Sequence, residues 1–310
     1  MTEISAAAEA LVLGRLVAFP TETVYGLGAD AENEKAVSRI YLAKGRPSDH
    51  PLIVHVASEE FLSHWGTDIP EYAQKLSEKF WPGPMTLILN RSESAADFIT
   101  GGQETVGIRI PNHPVALSLL QEFHARGGKG VAAPSANRFG KVSPTDASAV
   151  RGELEGSLEH GDLILEGGFS EVGIESTIID CTGAIPKILR PGAITAEMIT
   201  AVTGLEIDDL ASEIRASGLL ESHYSPAASV VLDEQPSSGD GFIAMSNVET
   251  PSGVVRLASP ESIEQYAQLL YSALRKADDL GLSRVVAWQP TGAGFAIAVR
   301  DRLARASHGS

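Results

Sequence analysis

The sequence predicts an α/β protein of two domains, a larger one built on a mixed sheet and a smaller α/β domain after it. The chain has 310 residues, enough for two separate hydrophobic cores. Short apolar runs alternate with segments of helical periodicity, which is typical of α/β folds. Several of the runs are separated by short loops and not by helices, so the larger sheet should be mixed and not purely parallel.

The first domain is predicted over residues 1–205. Its opening helix ends at Gly14, and the strand that follows ends at Phe19 because Pro20 cannot donate to a sheet ladder. From Thr21 to Gly28 the chain is predicted to be a polar loop that floors a pocket. Later helices are predicted over residues 33–44, 70–80, 114–123 and 195–202, and strands over 52–56, 85–89, 105–110, 130–133, 163–165, 177–179 and 188–189.

The pattern weakens after residue 205, and residues 206–228 are predicted to be a linker. Residues 229–310 then form the small C-terminal domain, since strands alternate there with a long helix. The strands are predicted over residues 230–232, 242–245, 254–257 and 285–288, and the helix over 263–280.

Composition bounds the function. An apolar fraction of 43% and a charged fraction of 21% are typical of soluble globular proteins. The single cysteine, the lack of a signal peptide and the lack of a long apolar run predict a cytoplasmic protein. A net charge of −16 argues against broad binding of nucleic acid, and an anionic substrate would need a local cluster of cations.

Three cations have two interpretations each. Lys44 and Arg46 follow a predicted helix, where they either satisfy its last carbonyls or clamp a triphosphate. Arg109 lies inside an apolar strand, so it must face solvent at a sheet edge or pair with an anion. The sequence contains no Walker A motif, which excludes a P-loop nucleotide site.

Two early stretches, residues 19–28 and 44–56, closely resemble the opening of the YrdC-type threonylcarbamoyl-AMP synthase family. Four later segments resemble further family motifs in the same order: Pro134-Ser135-Ala136-Asn137, Ser143-Pro144, Gly173-Ile174-Glu175-Ser176-Thr177 and Leu189-Arg190-Pro191-Gly192. The resemblance covers about the first 190 residues, and the C-terminal third matches only loosely.

The resemblance implies a twisted mixed-sheet YrdC-like domain, then a linker and a small Rossmann-like domain. It implies that the chain joins ATP, bicarbonate and L-threonine into threonylcarbamoyl-adenylate and pyrophosphate, with Mg²⁺ arriving on the ATP. The product would pass to a tRNA threonylcarbamoyl transferase complex. Neither membrane attachment nor stable nucleic-acid binding is expected.

The resemblance also implies roles for particular residues. Lys44 and Arg46 would be catalytic. The threonine-binding residues would be Thr23, His55, Arg109, Ala133 and Ser176, and the ATP-binding residues Lys44, Arg46, His50, Thr105, Ser135, Ser143, Arg190 and Tyr224. The family usually has Asn at the position of His50, so ATP affinity here would depend on pH.

The linker motif that contains Tyr224 has two interpretations, a plain tether or a cover over bound ATP. Alternatives to the synthase function are a double-stranded RNA-binding protein and a carbamoyl-transfer module. A serine hydrolase based on Ser135 is disfavoured because the chain lacks a G-x-S-x-G elbow. Residues 292–295 contain half of a dinucleotide-binding fingerprint, but its third glycine is missing. The sequence predicts no metal site in the protein itself.

Overall fold

The computed structural model describes residues 2–208, 212–218 and 223–308, which form two sheets and the helices packed on them. The helices are α1 Glu3–Val12, α2 Glu34–Lys44, α3 Leu62–Trp65, α4 Glu71–Phe80, α5 Asp97–Thr100, α6 Pro114–Ala125, α7 Ala147–Leu154, α8 Ala196–Thr203, α9 Ile263–Asp279 and α10 Phe295–Ser307. Among these residues, no helix has the length and apolar character that a membrane crossing needs.

The strands are β1 Val17–Phe19, β2 Gly26–Asp30, β3 Ile53–His55, β4 Gly66–Thr67, β5 Met85–Arg91, β6 Thr105–Arg109, β7 Val131–Ala132, β8 Leu163–Ile164, β9 Thr177–Asp180, β10 Lys187–Arg190, β11 Ser229–Leu232, β12 Gly241–Ile243, β13 Val255–Ala258 and β14 Arg284–Ala287. Strands β1–β10 form the larger sheet and β11–β14 the smaller one. The predicted α/β class and the division into two sheets are confirmed.

The larger sheet is mixed, as its short loops predicted. Its strand order is β10-β9-β5-β6-β3-β7-β2-β1-β8, with β4 added beside β5. β3 runs parallel to β6, whereas β5 and β7 run antiparallel to those two neighbours. Strand β6, which carries Arg109, is therefore an interior strand with partners on both sides.

One part of the sequence-based assignment is wrong. Gly26 to Gly28 was predicted to be loop, but it lies in β2, which pairs antiparallel with β1. A side chain on Gly28 would place a Cβ only 2.7 Å from Val131 and 2.8 Å from Phe19. These glycines therefore serve close packing of strands, and the polar turn is confined to the residues between Phe19 and Gly26.

The smaller sheet is wholly parallel, with the order β11-β14-β12-β13. Helix α9 follows the predicted bounds within one residue, while helix α10 and, in the first domain, α7 were not predicted. Between the sheets, residues 212–218 are described, whereas 209–211 and 219–222 of the predicted linker lie outside the described residues. The boundaries at 205, 228 and 229 stay predictions.

The two domains share an apolar core. Val24, Val142 and Ile174 of the first domain pack in the same buried cluster as Tyr271 and Leu274 of α9. Burial of apolar surface is the main favourable contribution to folding, and burial in this shared cluster also holds the two domains together. We therefore expect the position of α9 to be fixed relative to the first sheet.

The fit around Gly28 gives a test of the strand packing. Gly28→Ala should lower the free energy of unfolding by about 1–3 kcal/mol, because the added methyl overpacks Phe19 and Val131. Urea unfolding followed by circular dichroism measures this difference.

Gly152→Ala is the matched control, since Gly152 lies in α7 with no atom within 4 Å of the added Cβ. It should leave stability unchanged or raise it by up to about 1 kcal/mol. Equal stability of the two variants would contradict the close packing of β2.

Candidate active site

A cavity lies where the polar turn after β1 meets the ends of several strands and the segment before β11. Its lining is polar and cationic. The lining residues are Thr21, Thr23, Val24, Tyr25, Gly26, Lys44, Arg46, Ile53, His55, Arg109, Ala133, Pro134, Ser135, Asn137, Phe139, Gly140, Glu175, Ser176, Arg190, Ser217, Gly218, His223 and Tyr224.

Lys44 reaches the cavity from the end of α2. The helix stops there because Gly45 adopts the left-handed conformation, φ 61°. Lys44 Nζ donates to the carbonyls of Ser135 (2.6 Å) and Asn137 and so ties down the loop after β7. An ammonium has three donors, so one is left for a ligand. Burial, followed by the nearby Arg46 charge, holds the pKa of Lys44 well below its usual value.

Arg46 follows the same turn. Its Nη2 donates to the Pro51 carbonyl at 2.9 Å and to the Ser217 hydroxyl at 3.3 Å, and Nε has no hydrogen-bond partner among the described residues. The guanidinium also lies 5.6 Å from the centre of the Phe139 ring. Lys44 and Arg46 therefore do not satisfy the last carbonyls of their own helix. Burial lowers the pKa of Arg46 to about 10.

Arg190 enters the cavity from the end of β10. Its Nη2 donates to the Ser176 carbonyl at 2.9 Å and to the Ser176 hydroxyl at 3.1 Å, and Nη1 donates to the Ser217 carbonyl at 2.8 Å. The Ser176 hydroxyl is also bonded to the Thr86 hydroxyl at 2.8 Å. Burial lowers the pKa of Arg190, and all of these hydrogen-bond partners are neutral.

Arg109 pairs with an anion, which decides between its two interpretations. Its Nη2 lies 2.7 Å from Glu22 Oε1, and both side chains are buried. The contact is an ion pair that is not aligned as a hydrogen bond, and Nε has no hydrogen-bond partner among the described residues. The Arg109 guanidinium contacts Glu22 through Nη2 and can therefore still offer other donors of its planar group to a second carboxylate.

Two histidines in the cavity are held neutral. Burial and the charge of Arg109 lower the pKa of His55 to about 3. Burial likewise lowers the pKa of His223 to about 3. The Nδ1 atoms of both rings lack a hydrogen-bond partner among the described residues.

Tyr224 closes one side of the cavity and is only 1% exposed. Its φ of 61° is unusual for a residue with a side chain, and the ring is held between His223, at 4.1 Å between ring centres, and Tyr271, at 5.5 Å. Its hydroxyl has no hydrogen-bond partner among the described residues. Burial raises the pKa of Tyr224 to about 12, so the ring stays neutral.

The cavity brings together most of the residues named from the sequence. Those that line it are Thr23, Lys44, Arg46, His55, Arg109, Ala133, Ser135, Ser176, Arg190 and Tyr224. Three lie outside it. His50 packs against Phe139 at 5.2 Å, Thr105 lies at the start of β6 beside Gln103, and Ser143 is fully buried behind the cavity, where it donates to Glu175.

The sequence-based reasoning missed Glu22 and Glu175. A lone Arg in an interior strand requires an anionic partner. Glu22 is the one carboxylate in the polar turn between Phe19 and Gly26, and it had been given no role. Glu175 stands inside a named motif but received no role. Its partner Arg302 could have been noticed in the sequence, because it is a charged residue on the otherwise apolar buried face of α10.

Together these features define an α/β protein whose cavity of buried cations is suited to small anionic molecules. Residues 9–192 match the family model of the Sua5, YciO and YrdC proteins, described as "Telomere recombination". Residues 194–308 match the model "Threonylcarbamoyl-AMP synthase, C-terminal domain". The chain therefore belongs to the Sua5/YciO/YrdC family and carries both of these domains.

Relatives differ in length. The threonylcarbamoyl-AMP synthase of Pyrococcus abyssi is 40% identical over 95% of this chain and 91% of its own length. The crystal structure of Sua5 from that organism complexed with L-threonine matches with a TM-score of 0.88 and 39% identity, covering 99% of this chain and 94% of that one. The Vibrio vulnificus threonylcarbamoyl-AMP synthase is 34% identical over only 59% of this chain, yet this is 95% of its own length.

The neutral histidines predict how stability depends on pH. An unfolded histidine binds a proton near pH 6.5, whereas His55 and His223 stay neutral in the folded chain down to about pH 3. The unfolded state therefore binds more protons in this window, and stability falls as the pH falls below 6.5. The slope should approach about 1.4 kcal/mol per pH unit for each histidine.

His55→Leu should reduce this slope by roughly 1 kcal/mol per pH unit between pH 6 and 5, above the range in which most carboxylates titrate. Urea unfolding at several pH values measures it. Parallel curves for the two proteins would show that His55 is not kept neutral by the fold.

Proposed function

We propose that this chain is a threonylcarbamoyl-AMP synthase, which makes threonylcarbamoyl-AMP and pyrophosphate from L-threonine, bicarbonate and ATP. One observation carries the proposal. Lys44, Arg46 and Arg190 converge on one cavity, are all buried, and have no carboxylate partner within the described residues. Unpaired buried cations are costly unless an anionic ligand completes them. The curated relatives that carry this name, and the threonine complex of one of them, support the choice of reaction.

The reaction requires positioning more than chemical reactivity. The threonine amine and bicarbonate combine to a carbamate with loss of water. A carbamate oxygen then attacks the α-phosphorus of ATP, the bond to the bridging oxygen breaks, and pyrophosphate leaves with its electron pair. Buried cations beside the phosphates stabilise the charge that develops on the leaving group. We assign this task to Lys44, Arg46 and Arg190.

Arg109 is proposed to bind the threonine carboxylate. Its Nε has no hydrogen-bond partner among the described residues, and Ser176, Thr23 and the neutral His55 line the same cavity. The hydroxyls of Ser176 and Thr23 are suited to the threonine hydroxyl, and the small Ala133 leaves room for its methyl group. A neutral imidazole at His55 avoids a further positive charge beside the amine that must act as nucleophile.

Mg²⁺ is proposed to enter with ATP. Within the described residues no group of three or more His, Cys, Asp or Glu side chains is placed to hold a metal. Both carboxylates near the cavity are engaged, Glu22 with Arg109 and Glu175 with Arg302. This donor set fits an ion that keeps phosphate and water ligands. The ion would neutralise phosphate charge, and the cations of the protein would orient the same phosphates.

The proposal extends to location and partners. ATP and bicarbonate are abundant in the cytoplasm, and we propose that the chain works there. The labile product would be handed to a tRNA threonylcarbamoyl transferase complex.

Incubation with ATP, bicarbonate and labelled threonine tests the function directly. We expect pyrophosphate and labelled threonylcarbamoyl-adenylate in equal amounts, and neither product when threonine is omitted. Serine in place of threonine is the control for the side-chain subsite and should react more slowly. Hydrolysis of ATP that is independent of threonine would contradict the proposal.

The threonine subsite gives a separate prediction. Arg109→Ala should raise the threonine KM by roughly ten- to a hundredfold, because a charge-assisted contact of about 1.5–3 kcal/mol is lost. The KM for ATP should change by less than about threefold, since other cations bind the phosphates. Steady-state kinetics with each substrate varied in turn measure both values.

Arg151→Ala is the control, because Arg151 pairs with Glu166 on an exposed surface and should be kinetically silent. The double variant Glu22→Gln/Arg109→Met removes both members of the buried pair and guards against a folding defect. Equal losses of ATP and threonine affinity would refute the assignment of Arg109.

A further inference from the structure

Arg302 of the C-terminal domain reaches the wall of the cavity. It lies on α10, is 0% exposed, and its Nε donates to Glu175 Oε2 at 2.8 Å. Its Nη2 donates to the Pro191 carbonyl at 3.0 Å, and the guanidinium lies 5.5 Å from the centre of the Tyr224 ring. A fully buried cation of the second domain thus contacts three segments of chain that border the cavity.

Glu175 receives this contact together with two others. Tyr271 of α9 donates to Oε2 at 2.8 Å, and Ser143 donates to Oε1 at 2.6 Å. Burial alone would raise the pKa of Glu175, but the charges of Arg302 and Arg190 lower it to about 2. The carboxylate is therefore ionised and has donors from both domains.

The next residue transmits this arrangement to the cavity. Ser176 follows Glu175 directly, lines the cavity, and accepts two hydrogen bonds from Arg190 through its carbonyl. Arg302 Nη2 also donates to the Glu175 carbonyl at 3.4 Å, so Arg302 contacts the peptide unit that joins Glu175 to Ser176. Arg302 and Arg190 therefore hold two consecutive residues, one from each domain.

The backbone on the other side of Glu175 is equally confined. Gly173 has φ +79°, and a Cβ there would lie 2.4 Å from the Gln268 Cα of α9. The turn thus rests directly on the second domain. The domain contact and the ion pair fix the same short stretch.

We propose that Arg302 and Tyr271 are positioning residues through which the C-terminal domain orients Glu175, and with it Ser176 and Arg190. The inference rests on the proposed function and adds that the cavity of this chain is completed by its second domain.

The energetics of the pair favour an orienting role. A buried ion pair contributes little net stability compared with apolar residues of the same size, because its desolvation offsets the attraction. Its geometry is specific, since the guanidinium donors of Arg302 must meet both an oxygen of Glu175 and a carbonyl of residue 191. Because removal of one partner would leave the other charge buried and unpaired, the informative variants are those that keep the charge of Arg302 or remove a single hydrogen bond to Glu175.

The tyrosines of α9 provide the first test. Tyr271→Phe keeps the ring against Tyr224 but removes one donor to Glu175. Tyr266→Phe is its match, because Tyr266 is also fully buried on α9 and donates one hydrogen bond, at 3.0 Å to the Trp288 carbonyl away from the cavity. Both variants should lose similar thermal stability. Only Tyr271→Phe should raise the threonine Kd, by roughly three- to tenfold, which is less than a direct contact with a charged group would contribute because the effect reaches the cavity only through Glu175.

The arginines provide the second test. Arg302→Lys keeps the charge but loses the fork, and it should raise the threonine Kd and the ATP KM by at least about tenfold. Arg275→Lys is the match, because Arg275 joins the same two domains through Glu153 at 3.0 Å, and should change both by less than about twofold. Calorimetric titration gives the Kd, pyrophosphate release the KM, and thermal unfolding the stability.

The outcomes separate the inference from the function on which it rests. If the unmodified chain binds threonine and releases pyrophosphate, but each variant behaves like its match, the positioning role is overturned and the function stands. If the unmodified chain does neither, both are overturned. Selective loss of affinity in Tyr271→Phe and Arg302→Lys, at stabilities equal to those of the matched variants, supports the inference.

Discussion

The desolvation of the cations around the cavity is the constraint on which the rest of the structure depends. Lys44, Arg46 and Arg190 lie inside the protein, where an unpaired charge is costly. The described chain supplies neutral carbonyl and hydroxyl partners to these three, whereas Arg109 and Arg302 pair with the carboxylates of Glu22 and Glu175. The cavity therefore keeps a positive balance that an anionic ligand can complete. A structure optimised for stability alone would pair or remove these charges.

The mixed sheet makes this concentration of charge possible. Parallel pairing of β3 with β6 places His55 directly opposite Arg109 in register. Strands β1 and β2 are neighbours and run antiparallel, so the chain reverses direction in the polar turn between them. That turn lines the cavity that also contains His55 and Arg109. Residues that are distant in sequence, such as Arg46 and Arg190, then meet at one residue, Ser217. Loops at the ends of rigid strands carry the function, as is common in α/β proteins.

The sequence predicted what local patterns determine and missed what depends on contacts between distant parts of the chain. Proline and apolar runs correctly ended β1 at Phe19, and the resemblance to family motifs located most of the cavity. Gly28 was assigned to a loop because glycine permits positive φ and close backbone approach, although it lies in a strand where close neighbours in the sheet leave no room for a side chain. The partners of Arg109 and Glu175 could not be assigned, because pairing a buried charge depends on tertiary distance and leaves only a weak trace in the sequence. Arg302, a charge at an apolar helical position, is such a trace.

The net charge of −16 and a cavity for anions are compatible because they act at different ranges. Exposed charges are screened over about 8–10 Å at physiological salt, so the acidic surface has little effect deep in the cavity. Buried cations lie in a medium of lower effective dielectric constant, where their attraction for a phosphate is several times stronger than in water. A small polyanion that fits inside the cavity therefore experiences mainly the cations. A long polyanion such as nucleic acid would have to follow the outer surface, where we expect the net negative charge to repel it.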